Sequence, residues 1–266
     1  MASTVIEPRG PFHLDAAARF LADFPAIEAD WDGRALRMAF VADDMASSVG
    51  ATIRQPVAHR VEVDGPADQI ARILSLDVDG RPMIQVAERD PVVARVWNET
   101  HQLRPVLFAS PYEAAAWSVL SHRIRVGQAA RLKRELLVDG AFPVPERLLA
   151  LAPRPGLNAT KVERLHGVAR AALDGRLDPA ALRTVGAEQA LARLREIPGL
   201  GPFYATLVYV RAVGDPDHLP LGVAPLRTAV AAAYALAEPP DDERLIALAE
   251  AWRPLRSWVT LLLRAG

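Results

Sequence analysis

The sequence predicts an α+β protein: a mixed α/β domain over residues 1–89, then an all-helical domain over residues 90–266. Short apolar, β-prone runs occur only in the first part, at 35–42, 51–56 and 58–63, and Asp32-Gly33 supplies a turn signal before the first of them. From Asp90 onward, apolar residues recur at the three- and four-residue spacing of a helix face. Prolines stand at or near the starts of these periodic runs (Pro91, Pro111, Pro145, Pro179, Pro254), where a helix does not need the N–H that proline lacks.

Taken in order, residues 13–24 predict a short helix, the three strands follow, and a helix starts at Pro66 and runs to 76. The helical part divides into runs at 90–98, 111–121, 125–138, 145–152, 158–174, 178–184, 187–196, 203–213, 224–236, 241–252 and 255–264. The composition shift near Asp90 marks the domain boundary, and no internal repeat interrupts either part.

Composition excludes several function classes. With 266 residues and 51% hydrophobic content, the chain is long and apolar enough to bury one large core or two modest ones. No apolar run reaches the roughly 18–20 residues that span a bilayer. The N-terminal stretch lacks the basic-then-apolar order of a secretory signal, so a cytoplasmic protein with no membrane partner is expected. There is no cysteine, which removes disulfides, thiol nucleophiles and iron–sulfur clusters. The six histidines show no metal-ligand spacing, and no metal site is expected.

The net charge of −1 gives no overall field for a polyanion, but the charge is unevenly distributed. The segment from His122 to Arg134 carries Arg123, Arg125, Arg131, Lys133 and Arg134 with no acid, and Arg253, Arg256 and Arg264 cluster near the end. Either cluster reads as a solvated helix face or as a surface for phosphates.

The most informative segment is Leu194 to Gly214, LREIPGLGPFYATLVYVRAVG. A helix ends near Glu196, a Pro-Gly-Leu-Gly-Pro turn follows, and an apolar helix starts at once. Gly199 and Gly201 allow backbone conformations barred to other residues and leave the N–H groups of the next helix bare. The turn is either an ordinary helix–helix connection or a nest for one backbone phosphate, with Gly199, Leu200 and Gly201 as its contacts.

This segment resembles the hairpin of the helix-hairpin-helix DNA glycosylase superfamily. The likeness extends along almost the whole chain, to the branch of DNA-3-methyladenine glycosylase II. It takes in PFHL (Pro11 to Leu14), LSLDVDG (Leu74 to Gly80), SPYEAAAWSVLSHRIRVGQAARL (Ser110 to Leu132), RAVGDPDHLPLGVAPLRTA (211–229) and WRPLRSW (Trp252 to Trp258). The resemblance implies a small N-terminal domain with a curved antiparallel sheet and a helical domain in two lobes, with a base-binding cleft between the lobes. It implies a monomer that binds double-stranded DNA and flips an alkylated, 3-methyladenine-like base into an aromatic pocket for hydrolytic removal. It implies no organic cofactor, and a monovalent cation held by hairpin carbonyls.

The resemblance also marks departures. Bifunctional relatives carry a lysine nucleophile two residues after the second glycine of the hairpin; Phe203 stands there, so no lyase step is expected. The position of the catalytic aspartate falls on Val223, which cannot stabilise a sugar cation. Asp215 and Asp217 precede the same helix and are either substitute acids or loop caps. The wedge that fills the DNA stack falls on Arg123, flanked by His122 and Arg125, which contact DNA or are solvated. Phe203, Trp252 and Trp117 are the candidates for the base pocket, the other reading being core. Two functions remain open, a glycosylase of weak or altered activity and a catalytically silent DNA- or lesion-binding protein.

Overall fold

The computed structural model describes residues 3–265. The chain folds as α+β. Strands β1 (Thr4–Ile6), β2 (Ala29–Trp31), β3 (Ala35–Val41), β4 (Ser48–Val57) and β5 (Arg60–Asp64) form one antiparallel sheet in the order β1-β5-β4-β3-β2. In β3 the alternation is direct: Leu36, Met38 and Phe40 are buried and Arg37 is exposed. The long strand β4 carries a register break between Arg54 and Val57, which bends the sheet beside Pro56. The edge strands β1 and β2, three residues each, are too short to show any alternation in the sequence. The Asp32-Gly33 turn joins β2 to β3, with one Asp32 oxygen accepting from the N–H groups of Arg34 and Ala35.

Helix α1 (Leu14–Asp23) buries Leu14, Ala17, Ala18 and Leu21 and ends where Phe24 donates back to Leu21, one residue before Pro25. Helix α2 (Ala67–Ile73) buries Ile70 and Ile73, and the predicted helix over 66–76 stops short because Ser75 takes a left-handed backbone. The sequence reading missed α3 (Pro82–Arg89), a two-turn helix that buries only Met83 and Val86.

The rest is helical: α4 (Pro91–Glu99), α5 (Pro111–Ser121), α6 (Val126–Arg134), α7 (Pro145–Leu149), α8 (Ala159–Leu173), α9 (Pro179–Thr184), α10 (Gly186–Arg195), α11 (Pro202–Val208), α12 (Ala224–Ala233), α13 (Asp242–Ala249) and α14 (Arg256–Ala265). Asp90, Ser110, Asn158, Asp178 and Asp241 each cap one of these helices by accepting a backbone N–H. Helix α5 is buried from Pro111 through Leu120, so it forms the axis around which α6, α8 and α11 pack. No described helix is long and apolar enough to cross a membrane.

Buried polar groups tie the sheet to the helices. Glu113 of α5 accepts from the Val41 N–H of β3, Lys133 of α6 donates to the Ala26 carbonyl, and Gln69 donates to the carbonyls of Val41 and Ala109. Arg104 donates to four carbonyls, those of Arg9, Pro11, Ser75 and Val78. These four side chains thereby meet backbone partners across the junction between the sheet and the helices.

Candidate functional site

Helices α10 and α11 meet at the tight turn Ile197–Gly201. Gly199 has φ +96°, a left-handed conformation that favours glycine, and a side chain there would lie 3.0 Å from Cδ of Arg164. Gly201 differs from the sequence expectation: its φ of −64° is ordinary, and a β-carbon there would touch nothing within 4 Å. Neither strain nor packing therefore requires glycine at 201. Pro202 lacks an N–H, and the N–H groups of Gly201, Phe203 and Tyr204 bond no other backbone group among the described residues. The turn thus presents bare donors at the start of α11.

The loop between α5 and α6 stands beside this turn. His122 packs edge-on against Tyr204, ring centroids 5.7 Å apart, and its Nδ1 lies 3.2 Å from Nη1 of Arg164. Burial, then the charges of Arg123, Arg164 and Lys161, hold the His122 pKa below its ordinary value. Arg123 is exposed and left-handed, at φ +58°, and Arg125 is exposed at the N-cap of α6. None of Arg123, Arg125, Lys161 and Arg164 is ion-paired with a described residue, whereas Asp77 pairs Arg183 and Asp242 pairs Arg227 elsewhere.

Behind the hairpin lies a cleft of about 450 Å³. Helix α11 lines it with Phe203, Tyr204, Thr206 and Leu207. The helix then widens, with Gly214 donating to Tyr209, five residues back, so that the neighbours Val210 and Arg211 both face the cleft. Trp117 and Ser121 of α5, Val126 of α6 and Thr260, Leu261 and Arg264 of α14 complete the helical walls. Asp23, Phe24 and Pro25 enter from the end of α1, and Phe108 from the segment before α5. The Arg211 guanidinium carbon stands 4.5 Å from the Phe24 centroid and 6.0 Å from that of Phe108, and burial pushes its pKa down to about 9. These groups make an apolar, aromatic concavity with few charges, the form of a small-molecule or nucleobase site.

Val223 lines the cleft at the N-cap of α12 and is 7% exposed. The two acids before it point elsewhere. Asp215 accepts from the Tyr209 hydroxyl and the Asp217 N–H, and Asp217 is held by Arg253 and Arg256; neither lines the cleft. Trp252 also lies outside it: the side chain is fully buried and its Nε1 donates to Asp90 and to the Tyr234 hydroxyl. Of the predicted pocket aromatics, Trp117 and Phe203 line the cleft, with Phe203 45% exposed at its mouth. Sequence reading missed Asp23, Phe24 and Arg211, because tertiary packing alone brings α1 and the far end of the hairpin helix to one cleft.

No family model matches the chain. Over 204 residues it is 24% identical to a DNA-3-methyladenine glycosylase of Bacillus subtilis strain 168, covering 71% of this chain and 67% of that protein. It is 27% identical over 202 residues to a probable bifunctional transcriptional activator/DNA repair enzyme AlkA of Mycobacterium tuberculosis, covering 71% of this chain but 40% of that one. A 3-methyladenine DNA-glycosylase from Archaeoglobus fulgidus superposes with a TM-score of 0.77 at 19% identity, over 98% of this chain and 97% of that one. The fold of this chain is that of the helix-hairpin-helix DNA glycosylases.

Proposed function

We propose that the protein binds double-stranded DNA as a monomer, everts a modified base into the cleft behind the hairpin, and hydrolyses the N-glycosidic bond of alkylated bases. The observation that carries this reading is the continuity of two features along one helix start. The bare N–H groups that suit a backbone phosphate belong to Gly201, Phe203 and Tyr204, and the side chains of the last two line the cleft. A phosphate held at the turn therefore leaves its nucleotide beside the aromatic walls. The exposure of Arg123 at the loop next to His122, unpaired with any described residue, supports its reading as the side chain that fills the gap left in the stack. The names of the relatives agree with this chemistry. No lyase step follows, since Phe203 offers no amine at the hairpin and the nearby Lys161 ammonium is bonded to the Leu120 carbonyl.

Val223 favours a second reading, in which the protein recognises the lesion without cutting. The position carries no carboxylate, Asp217 is tied into ion pairs away from the cleft, and among the described residues Asp23 is the only acid that lines it. Single-turnover base release separates the two, with protein in excess over lesions, on duplex DNA treated with a methylating agent and on a duplex carrying O6-methylguanine. Release above the protein-free rate supports the enzyme. Binding to the same DNA without release supports the silent protein. Absence of duplex binding overturns both.

A further inference from the structure

The charged side chains that line the cleft are Arg211, Arg264 and Asp23. The Arg211 guanidinium is stacked on Phe24, its Nη2 donates to the Val106 carbonyl, and its Nε is buried with no partner among the described residues. Arg264 faces the cleft from the last turn of α14, unpaired with any described acid and near enough for its charge to act on Arg211. Asp23 sits at the exposed end of α1 and pairs with neither. Val223 supplies no charge. The cleft therefore carries a net positive charge between apolar walls, and a cation already occupies the Phe24 ring face on which a cationic base could stack.

Resting on the reading of the cleft as the seat of an everted base, we propose that it selects an uncharged modified base rich in acceptor atoms, such as carbonyl or alkoxy oxygens, and disfavours cationic N-alkylpurines. An acceptor on the base edge can satisfy guanidinium donors, whereas a positive ring meets two like charges that the single, exposed carboxylate of Asp23 does not balance. At separations of about 6 Å with an effective dielectric constant of about 20, one such repulsion is worth roughly a hundredfold in affinity, and solvent at the open mouth reduces it toward tenfold.

The test is competition against a labelled undamaged duplex, using three competitors of one sequence. One carries O6-methylguanine, which is uncharged. One carries 7-methylguanine, which is cationic, with a 2′-fluoro substituent on the sugar to prevent its loss. The third is undamaged. The expected result is that the O6-methylguanine duplex competes at least tenfold better than the cationic one, and that Arg264→Leu and Val223→Asp each narrow the gap. Equal or better competition by the cationic duplex overturns the proposal, as does a gap that neither substitution alters. Equal competition by all three means that the cleft takes no base, which overturns the proposal and leaves DNA binding at the hairpin standing. Loss of all duplex binding overturns the functional reading itself and the proposal with it.

Discussion

Asp217 and Arg256 form a forked ion pair, with Nε and Nη2 of the arginine each 3.0 Å from one carboxylate oxygen. Arg253 adds a third contact at 2.8 Å, and the Arg256 and Asp217 side chains are 17% and 26% exposed. The pair fastens the loop before α12 to the start of α14, so Asp217 has a structural task. Asp217→Asn is expected to lower stability by about 1–3 kcal/mol, the range for charge-assisted hydrogen bonds in partly buried surroundings. Base release, where the parent shows any, is expected to fall no more than the folded fraction does. Thermal melting and single-turnover release on the same preparation check this, and a large loss of release at unchanged stability contradicts it.

Val223→Asp is expected to be tolerated and to add catalysis. The residue has extended backbone at the N-cap of α12, φ −95° and ψ 95°, with no side-chain cap at present. An aspartate there can accept from the first turn of α12, a gain of about 0.5–2 kcal/mol that offsets its desolvation. It also places a carboxylate on the cleft wall, and one such group is worth roughly 10²–10³ in rate. Release of alkylated bases from methylated DNA is therefore expected to rise by that order over the parent. Unchanged release with retained duplex binding shows that the cleft cannot use the acid.

The two hairpin glycines are expected to separate folding from binding. At φ +96°, Gly199→Ala forces a side chain into the left-handed region and against Arg164, costing about 1–2 kcal/mol. Gly201→Ala meets open space in an ordinary conformation and is expected to shift stability by less than about 0.5 kcal/mol. Gly201→Glu is expected to fold equally well but to weaken duplex binding about tenfold, independently of sequence, since it sets a negative charge at the proposed phosphate contact. Denaturant titration and fluorescence anisotropy check the two halves. Unaltered DNA affinity in Gly201→Glu removes the hairpin from the DNA interface.

The hairpin is legible in the sequence because everything that shapes it is local: Ile197-Pro198-Gly199-Leu200-Gly201 sets the turn and Pro202 starts the helix. Helix α5 is legible for the same reason, from Ser110 and Pro111 at its start. Strands β1 and β2 are not, since three residues carry no period and their partners are supplied by the sheet. The cleft is legible only in part. Periodicity marks Trp252 as an apolar helix residue but cannot reveal that Asp90 and Tyr234, distant in sequence, bind its indole nitrogen in the core. Nor can it reveal that α1 delivers Asp23 and Phe24 to face Arg211.

Stability is expected to fall on acidification through a histidine in the loop that Asp217 fastens. His218 packs edge-on against Tyr209 at 5.1 Å, and burial, reinforced by Arg256 and opposed by Asp215, holds its pKa below the ordinary 6.5. The unfolded chain thus takes up the proton at higher pH than the folded one does. The stabilisation from the neutral ring is complete above the unfolded pKa and is lost as pH falls through the folded pKa. His218→Asn is expected to flatten the difference in melting temperature between pH 7.5 and pH 5 relative to the parent. An equally steep profile in the variant assigns the acid sensitivity to other groups.

Arg123 is expected to trade stability against DNA binding. The residue is exposed and held at φ +58°, where a non-glycine side chain costs roughly 1 kcal/mol. No hydrogen bond or ion pair to another described residue repays that strain within the protein, and its neighbours His122, Arg164 and Lys161 are themselves basic or aromatic. A strained, unpaired cation at the tip of the loop beside the hairpin is explained if its partner is a nucleic acid. Arg123→Gly relieves the backbone and removes the charge together. Its unfolding free energy is expected to rise by up to about 0.5 kcal/mol, the relieved strain less the roughly 0.4–1 kcal/mol that glycine's freedom gives the unfolded chain, while duplex affinity falls and the slope of log affinity against log salt drops by about one unit. A rise in stability with affinity and salt slope unchanged identifies the loop as a strained turn without a role on DNA. A fall in stability shows that Arg123 holds the fold through contacts of its own, and the wedge assignment is then withdrawn.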